Sequence, residues 1–398
     1  MMDSKDTGVN TAGTGMRNTL FARSEKHARR APIFAFVAAA VLFIVAAAGP
    51  ALMISRIKPI PVDTTRQITT TPAATTLYDP EAPCPPDAPQ SCFVVNTTTQ
   101  LHREIKTVKT DVRDEVDLHV TDNLVRTDTQ KSIIDIDDKL RLIRHSTYPV
   151  LDFASHMKVM APSLNLSFDT GDFARDGLQY FYPFHTERRS YQFFDPIAQK
   201  PWPLDYVEEK NGIYMFTQDI PATDLAKAAT RSFTQPEDIS DEPSMEATTS
   251  DLSQEQQDHV HKMHITAPAS KFYGEGRAGH GQSSPPYYTV KRTLWVEPKS
   301  GVVVNQSEDV FMFYATDQQD ADATAQRGHD PMRTILKTKL QWDATTQAHA
   351  HDEAQPTVDT LHRLRIGGFV AKMLGFALLV VGLWLAVRRP HDVSTHAS

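Results

Sequence analysis

Apolar residues crowd into two runs near the ends of this chain, Ala31 to Ile54 and Ile366 to Val387, while the stretch between them mixes apolar and polar positions at short spacing. The first run is 24 residues long and carries no charge. At ~1.5 Å per helical residue it reaches about 36 Å, enough for a hydrocarbon core of ~30 Å. The second run holds one charge, Lys372, whose stem is long enough to carry its ammonium to the headgroups. Both predict membrane-spanning helices. A cleaved signal peptide fits the first run poorly despite the small residues Ala46 to Ala48, because the charged leader before it is 30 residues long and the run exceeds the ~7 to 15 residues of a signal h-region. The expected layout is a tail over 1–30, a helix over 31–55, a large domain over 56–365, a helix over 366–387 and a tail over 388–398.

Between the helices the period is that of strands. Val116 to Val120 alternates apolar and polar positions, as a half-buried strand does. Leu204 to Ile220 places Asn211-Gly212 between two strand-like runs, and both residues tolerate the positive φ of a tight hairpin turn. A second hairpin is expected from Tyr287 to Glu297 and Val302 to Tyr314, turning at Pro298 to Gly301. Ala222 to Ser232 reads as a short helix, and Ile133 to Arg144 fits either a strand or a helix. Thr64 to Asp87, rich in Thr, Pro and Ala, reads as an extended linker, and the acidic, polar stretch Gln235 to Gln257 as a mobile insertion. The predicted fold is a mainly β (α+β) domain of antiparallel sheets with hairpins, held between two membrane helices.

Charge refines this picture. The chain has 41 basic and 49 acidic residues; the leader holds six and three of them and the C-terminal end from Lys372 three and one, which leaves 32 and 45 in the middle, a net of about −13. Phosphate binding needs a basic face, so a nucleic-acid partner is not expected. Lys and Arg of the leader (Lys5, Arg17, Arg23, Lys26, Arg29, Arg30) and of the tail (Arg388, Arg389) outweigh Arg56, Lys58, Arg66, Arg363 and Arg365 on the other sides of the apolar runs. That bias predicts a two-pass protein of the cell (inner) membrane with both termini cytoplasmic and the domain outside. Cys84 and Cys92, the two cysteines of the chain, fall in a proline-rich loop of that domain and are expected to form a disulfide.

Three stretches carry a family resemblance: Tyr182-Pro-Phe-His-Thr-Glu-Arg-Arg-Ser-Tyr191; Phe194-Asp-Pro with Tyr206-Val207 and the hairpin to Ile220-Pro221; and Arg292-Thr-Leu-Trp-Val-Glu-Pro-Lys-Ser-Gly301. With the two apolar runs, they make the sequence similar to the actinobacterial DUF3068 family, also named PorA. The long leader, the cysteine loop, Ala154 to Leu166 and the acidic stretch after Pro236 depart from the family pattern and inherit nothing from it. The resemblance implies an N-terminal anchor, a β-rich exported domain, a C-terminal membrane helix and an association with assembly of a mycolate-type envelope. The porin label is set aside here, because outer-membrane barrels cross on strands of ~9 to 11 alternating residues and this chain offers two continuous apolar runs instead.

Candidate chemistry is sparse. Tyr182, Phe184, Tyr191, Phe194 and Trp202 are candidates to line an apolar groove, with Arg188 and Arg189 beside them for a lipid phosphate or anionic glycan; burial of the aromatic rings in an ordinary core is the competing and favoured reading. His259, His261 and His264 are weak metal candidates, since His259 and His261 would share a face of a strand. Gly367, Ala371 and Gly375 repeat at four-residue spacing and suit close helix packing. Catalytic signals are weak: the sequence has neither a Gly-x-Ser-x-Gly elbow nor His-Glu-x-x-His. The expected function is a non-enzymatic, membrane-anchored factor in envelope lipid or lipoglycan assembly, with lipid binding as its suggested means. Its expected partners are membrane lipids, lipoglycan or membrane-embedded envelope enzymes, with no cofactor. An extracytoplasmic glycan- or lipid-acting enzyme, and a structural scaffold or porin-associated protein, are the alternatives.

Overall fold

The computed structural model describes residues 31–49, 60–86, 88–233, 252–268, 270–271 and 282–388. They form two compact units, one holding the apolar helices and the other spanning Lys58–Val358.

The larger unit is built on a 13-stranded antiparallel sheet. Its strands run, in chain order, β1 (Thr64–Thr69), β2 (Ala73–Tyr78), β3 (Val94–Lys109), β4 (Glu115–Arg126), β5 (Ser132–Ile143), β6 (Ser155–Ala161), β7 (Leu166–Phe173), β8 (Tyr191–Asp195), β9 (Lys200–Lys210) and β10 (Ile213–Asp224). A small pair follows, β11 (Ile265–Ala267) with β12 (Gln282–Ser284), then β13 (Pro286–Glu297), β14 (Val302–Tyr314) and β15 (Thr334–Gln341). In space the order is β7-β6-β5-β4-β3-β2-β15-β14-β13-β10-β9-β8, with β1 lying on the outer half of β3. The two ends of this row come together. The chain leaving β7 runs beside β8, where the N–H of Leu178 donates to the carbonyl of Gln192 at 2.7 Å and the N–H of Phe194 to that of Leu178 at 2.8 Å. The sheet therefore curls upon itself and encloses its core.

Alternation decides which face is inside. Along β4 the residues Val116, Leu118, Val120, Asp122 and Leu124 are buried, and the positions between them are half exposed. Those intervening residues are polar and pair across strands, Asp117 with Arg141 and His119 with Asp137. Along β4 the sheet is apolar within and polar without, the reverse of a lipid-crossing barrel.

Both predicted hairpins form. Asn211 and Gly212 adopt φ of 54° and 79° between β9 and β10, and β13 turns into β14 at 298–301. The stretch at Ile133 to Arg144 is a strand, β5, because its apolar residues alternate with Asp and Lys. The expected linker over Thr64 to Asp87 instead contributes β1 and β2. Threonine is β-branched and suits strands, and the buried hydroxyls of Thr75, Thr99 and Thr338 satisfy one another, with 2.7 Å from Thr75 to Thr99 and 2.8 Å to Thr338. The predicted short helix begins later than expected, at α2 (Leu225–Phe233), since β10 continues through Pro221 to Asp224. Of the expected mobile insertion, 254–257 lies in helix α3 (Gln254–Met263), started by a capping box between Ser253 and Gln256; most of the remainder lies outside the described residues. A further helix spans Gln318–Arg327.

The smaller unit contains helix α1 (Ala31–Gly49) and the end of the long helix α5 (Ala344–Val387), α4 being Gln318–Arg327. Both are long and apolar enough to cross a membrane. The expected span Ile366 to Val387 is thus the second half of a continuous helix that starts at Ala344 and tolerates Pro356 in its interior. Within this unit the two helices pack antiparallel. Where Gly375 and Gly382 stand, a Cβ would meet the Phe43 ring at 3.1 Å and the Ala35 Cβ at 3.2 Å. Along the second half of α5 the covered positions include Gly368, Ala371, Gly375, Leu378, Gly382 and Leu385, alternating steps of three and four, and on α1 they include Pro32, Ala35, Ala39, Leu42, Ala46 and Gly49. This is a heptad seam of small residues. Gly367 has open space at its Cβ and Gly368 takes the contact, because strict four-residue steps drift off a 3.6-residue face.

Candidate functional site

The fold brings Tyr182, Tyr191 and Arg189 together and places Phe194 and Trp202 elsewhere. Tyr182, Tyr191 and Phe194 are buried. The Tyr182 ring meets Tyr191 at 5.5 Å and Phe216 at 5.3 Å, and Phe194 meets Phe173 at 6.0 Å. Phe184 is half buried against His185, and Trp202 is half buried beneath the ammonium of Lys200 at 3.9 Å. Arg188 is exposed and pairs with Glu209 and the Tyr214 hydroxyl; Arg189 pairs with Glu187 at 3.0 Å and covers the Tyr191 ring. These residues fill the interior or form surface ion pairs, and they do not converge on a groove. Of the weak metal candidates, His259 and His261 lie in α3 rather than sharing a face of a strand, and His264 caps that helix, with 6.5 Å between the His261 and His264 rings. Among the described residues no three His, Cys, Asp or Glu side chains gather as a metal site. Cys84 and Cys92 are joined by a disulfide.

What the fold does assemble lies inside the curled sheet. Five strands, β1, β3, β4, β13 and β14, direct Arg66, Arg103, Asp122, Arg292 and Glu308 onto the wall of one cavity of about 100 Å³. Tyr180, Tyr288 and Gln306 line it too, and most of the rest of the wall is apolar, including Leu124, Ile136, Val310 and Leu336. At ~30 Å³ per liquid water, this space accommodates a few waters or a small polar solute.

Every charge there is matched. Arg103 grips Asp122 with two bonds of 2.6 Å. Arg292 donates to Glu308 at 2.6 Å, to Asp195 at 2.9 Å and to Gln218. Asp195 also accepts from the Tyr288 hydroxyl at 3.0 Å and from the backbone N–H groups of Ile197 and Ala198. Nearby, Arg175 and Asp138 form a fully buried pair with bonds of 2.8 and 2.6 Å, and the Tyr180 hydroxyl donates to the same carboxylate at 2.7 Å. Bidentate, charge-assisted bonds of this kind offset the desolvation of buried ions, which in isolation would cost several kcal/mol each.

The environment moves the titrations accordingly. Burial pushes the Glu308 carboxyl up, but Arg292, Arg103 and the bonds from Arg292 and Gln306 outweigh it and hold the group below the usual carboxylate range. Burial and the neighbouring carboxylates Asp138 and Asp195 push the hydroxyls of Tyr180 and Tyr288 well above the usual phenol range. Burial draws Arg66 down, only partly countered by Glu353 at 3.4 Å. A depressed carboxylate stabilises the fold above its unfolded value and loses that contribution as pH falls through it, whereas a raised tyrosine stabilises below its unfolded value and loses it as pH rises. Stability is therefore expected to decline below about pH 4.3 through Glu308 and above about pH 10 through Tyr180 and Tyr288. Denaturant titration from pH 3 to 11 checks this, and Glu308→Gln should flatten the acid limb.

None of Asp138, Asp195, Arg175 or Arg292 was singled out from the sequence as a site residue. The available signal was position, since Asp195 sits in the Phe-Asp-Pro stretch and Arg292 opens the Trp-Val-Glu-Pro stretch on which the resemblance rested. The salt bridge between them, 2.9 Å, ties two of the motif segments together across the interior.

A charged interior in a curled, outwardly polar sheet, in one chain with two lipid-length apolar helices, defines a membrane-associated β-sheet protein. The chain belongs to the family described as Porin PorA, whose model matches residues 31–384. Two relatives carry the same description: one from Corynebacterium resistens, 32% identical over 341 residues, with 76% of this chain and 79% of the relative covered, and one from Corynebacterium amycolatum, 28% identical over 382 residues, with 86% and 95% covered. These findings overturn the expected role in envelope lipid or lipoglycan assembly. The relatives are named porins, and setting that name aside because no strands could cross lipid overlooked that apolar helices, too, can build a membrane passage.

Proposed function

We propose that the chain acts in a porin-type channel, with α1 and α5 as its membrane-crossing part. Family membership is the observation that carries this reading. The helices cross the bilayer antiparallel, both termini lie on the cytoplasmic side where the Lys and Arg bias favours them, and the β unit is extracytoplasmic. One pair of helices encloses no lumen, since its seam is closed by Gly375 against Phe43 and Gly382 against Ala35. The passage is therefore formed by several copies around a shared axis.

Planar-bilayer recording with the purified full-length chain tests this. Discrete conductance steps that scale with protein concentration are expected. The double substitution Gly375→Leu/Gly382→Leu, which drives two side chains into the α1 contact, is expected to cut step frequency at least tenfold. Silent membranes despite verified incorporation would overturn pore formation by this chain alone. The closed seam also favours a second reading, a porin-associated subunit, in which case conductance would change only when a separate pore former is present.

A further inference from the structure

One end of the curled sheet differs from the other. The β3–β4 turn, the β5–β6 connection, the β9–β10 turn and the β13–β14 turn all stand there, as the registers Lys109 with Val116, Glu115 with Ile143, Ile213 with Lys210 and Glu297 with Val302 require. Of the large apolar side chains exposed on this unit, Val108, Val112, Leu151, Phe153 and Val207 lie towards that end, Leu151 being 70% exposed; among the described residues Met160 alone lies towards the other. Scattered apolar residues need no explanation, but a set gathered at one end of a water-facing domain marks a contact.

The course of the chain says what covers it. The chain joins this unit at the same end, where Arg144 holds the Ile60 carbonyl at 3.0 Å and Asp63 accepts from the N–H of Lys109. It leaves there as well. The first turns of α5 run back along β1, from the Thr346 contact with Thr69 to the Glu353 contact with Arg66, and so head for the start of β1. Both connections to the apolar helices therefore depart from the end that carries the exposed apolar tips.

The geometry points to these tips as a bilayer-docking surface: the β3–β4 turn and the β5–β6 connection rest in the lipid headgroup layer, with Val112, Leu151 and Phe153 as the inserting side chains. The proposal rests on the reading that α1 and α5 cross a membrane. It concerns the surface of a bilayer, with no lipid taken into the protein. Lys109, Arg113 and His145 stand among the tips, but so do Asp111, Asp114 and Asp152, so apolar insertion rather than net charge drives the contact.

Site-directed fluorescence tests it. The native cysteines are paired with each other, so Val112→Cys, Leu151→Cys, Met160→Cys and Val380→Cys, all at exposed positions, accept an NBD label selectively in the full-length chain, reconstituted in phosphatidylcholine or mixed phosphatidylcholine and phosphatidylglycerol vesicles. Lipids with a nitroxide near the headgroup should quench the labels at 112 and 151 at least twofold more than the label at 160, equally in both vesicle types. Lipids with a deep nitroxide should quench the label at 380. Labels at 112 and 151 that behave like the one at 160 would overturn the docking surface while leaving the crossing helices intact. Protection at 112 and 151 that grows with protein-to-lipid ratio would also overturn it, by assigning the tips to a second copy. Failure to quench at 380 would remove the membrane crossing, and the docking with it.

Discussion

Arg292→Leu is expected to lower the unfolding free energy by about 3–5 kcal/mol, the cost of leaving a buried carboxylate without its partner. Two carboxylates lose their cation at once. Asp195 is inaccessible to solvent and has no water to turn to when the guanidinium is removed, whereas Glu308 keeps 14% exposure and lines the cavity, so Asp195 carries most of the loss. Gln218, which accepts from Arg292, also donates to the carbonyls of Phe193 and Trp202, so the loss extends to the β8–β9 edge. The ring of Phe193, 5.4 Å from the guanidinium, loses a cationic neighbour as well. Denaturant unfolding of the detergent-solubilised chain, followed by circular dichroism, measures the change. Adding Asp195→Asn to Arg292→Leu should recover part of the loss, because the uncharged amide oxygen still accepts from Ile197 and Ala198, while the NH2 in place of the second oxygen can donate to the Tyr288 hydroxyl. A change below about 1 kcal/mol in the single variant would mean that the interior ions are hydrated, since surface pairs contribute no more than that.

The sequence made the hairpins plain because their signals are local. Asn211-Gly212 and the Pro298-to-Gly301 turn announce reversals of the chain, and the alternation in β4 follows from a strand with one wet face. Thr64 to Tyr78 misled because threonine is as common in extended linkers as in strands; only the partners at 94–107 and 336–338, distant in sequence, make β1 and β2 part of the sheet. The length of α5 was hidden for a similar reason. Its first half is polar on one side and includes Pro356, while Ala350 and Ala354 are buried against the β unit. The interior ions were the least legible. Arg103, Asp122, Arg175 and Asp138 read as surface charges in any window of sequence, and only closure of the sheet brings each opposite its partner. The aromatic block offered both a groove and a core in sequence, and the fold buries Tyr182, Tyr191 and Phe194.

Gly301→Ala should be the most disruptive small substitution in the β unit, with a loss of at least about 3 kcal/mol and reduced yield of folded chain. Two penalties coincide. The backbone there has φ of 75°, in the left-handed region that costs a residue with a Cβ roughly 1–2 kcal/mol. In addition, the new Cβ would stand 2.3 Å from the Tyr182 carbonyl oxygen and 2.7 Å from that of Pro183. Both obstacles are backbone, so no side-chain rotation can clear them. The close approach exists because the segment after β7 docks on this turn: the N–H of Tyr182 donates to the Gly301 carbonyl at 3.3 Å and that of Thr186 to the Pro298 carbonyl at 2.8 Å. Two stretches that looked like separate motifs are thus one junction, which holds Tyr182 within the aromatic cluster. Gly212→Ala supplies the matched comparison. Its φ is 79°, yet nothing lies within 4 Å of the added Cβ, so only the conformational cost of about 1–2 kcal/mol applies. The difference between the two variants in thermal and denaturant unfolding measures the docking itself, and equal losses would mean that the 182–186 segment can move away from the turn at little cost.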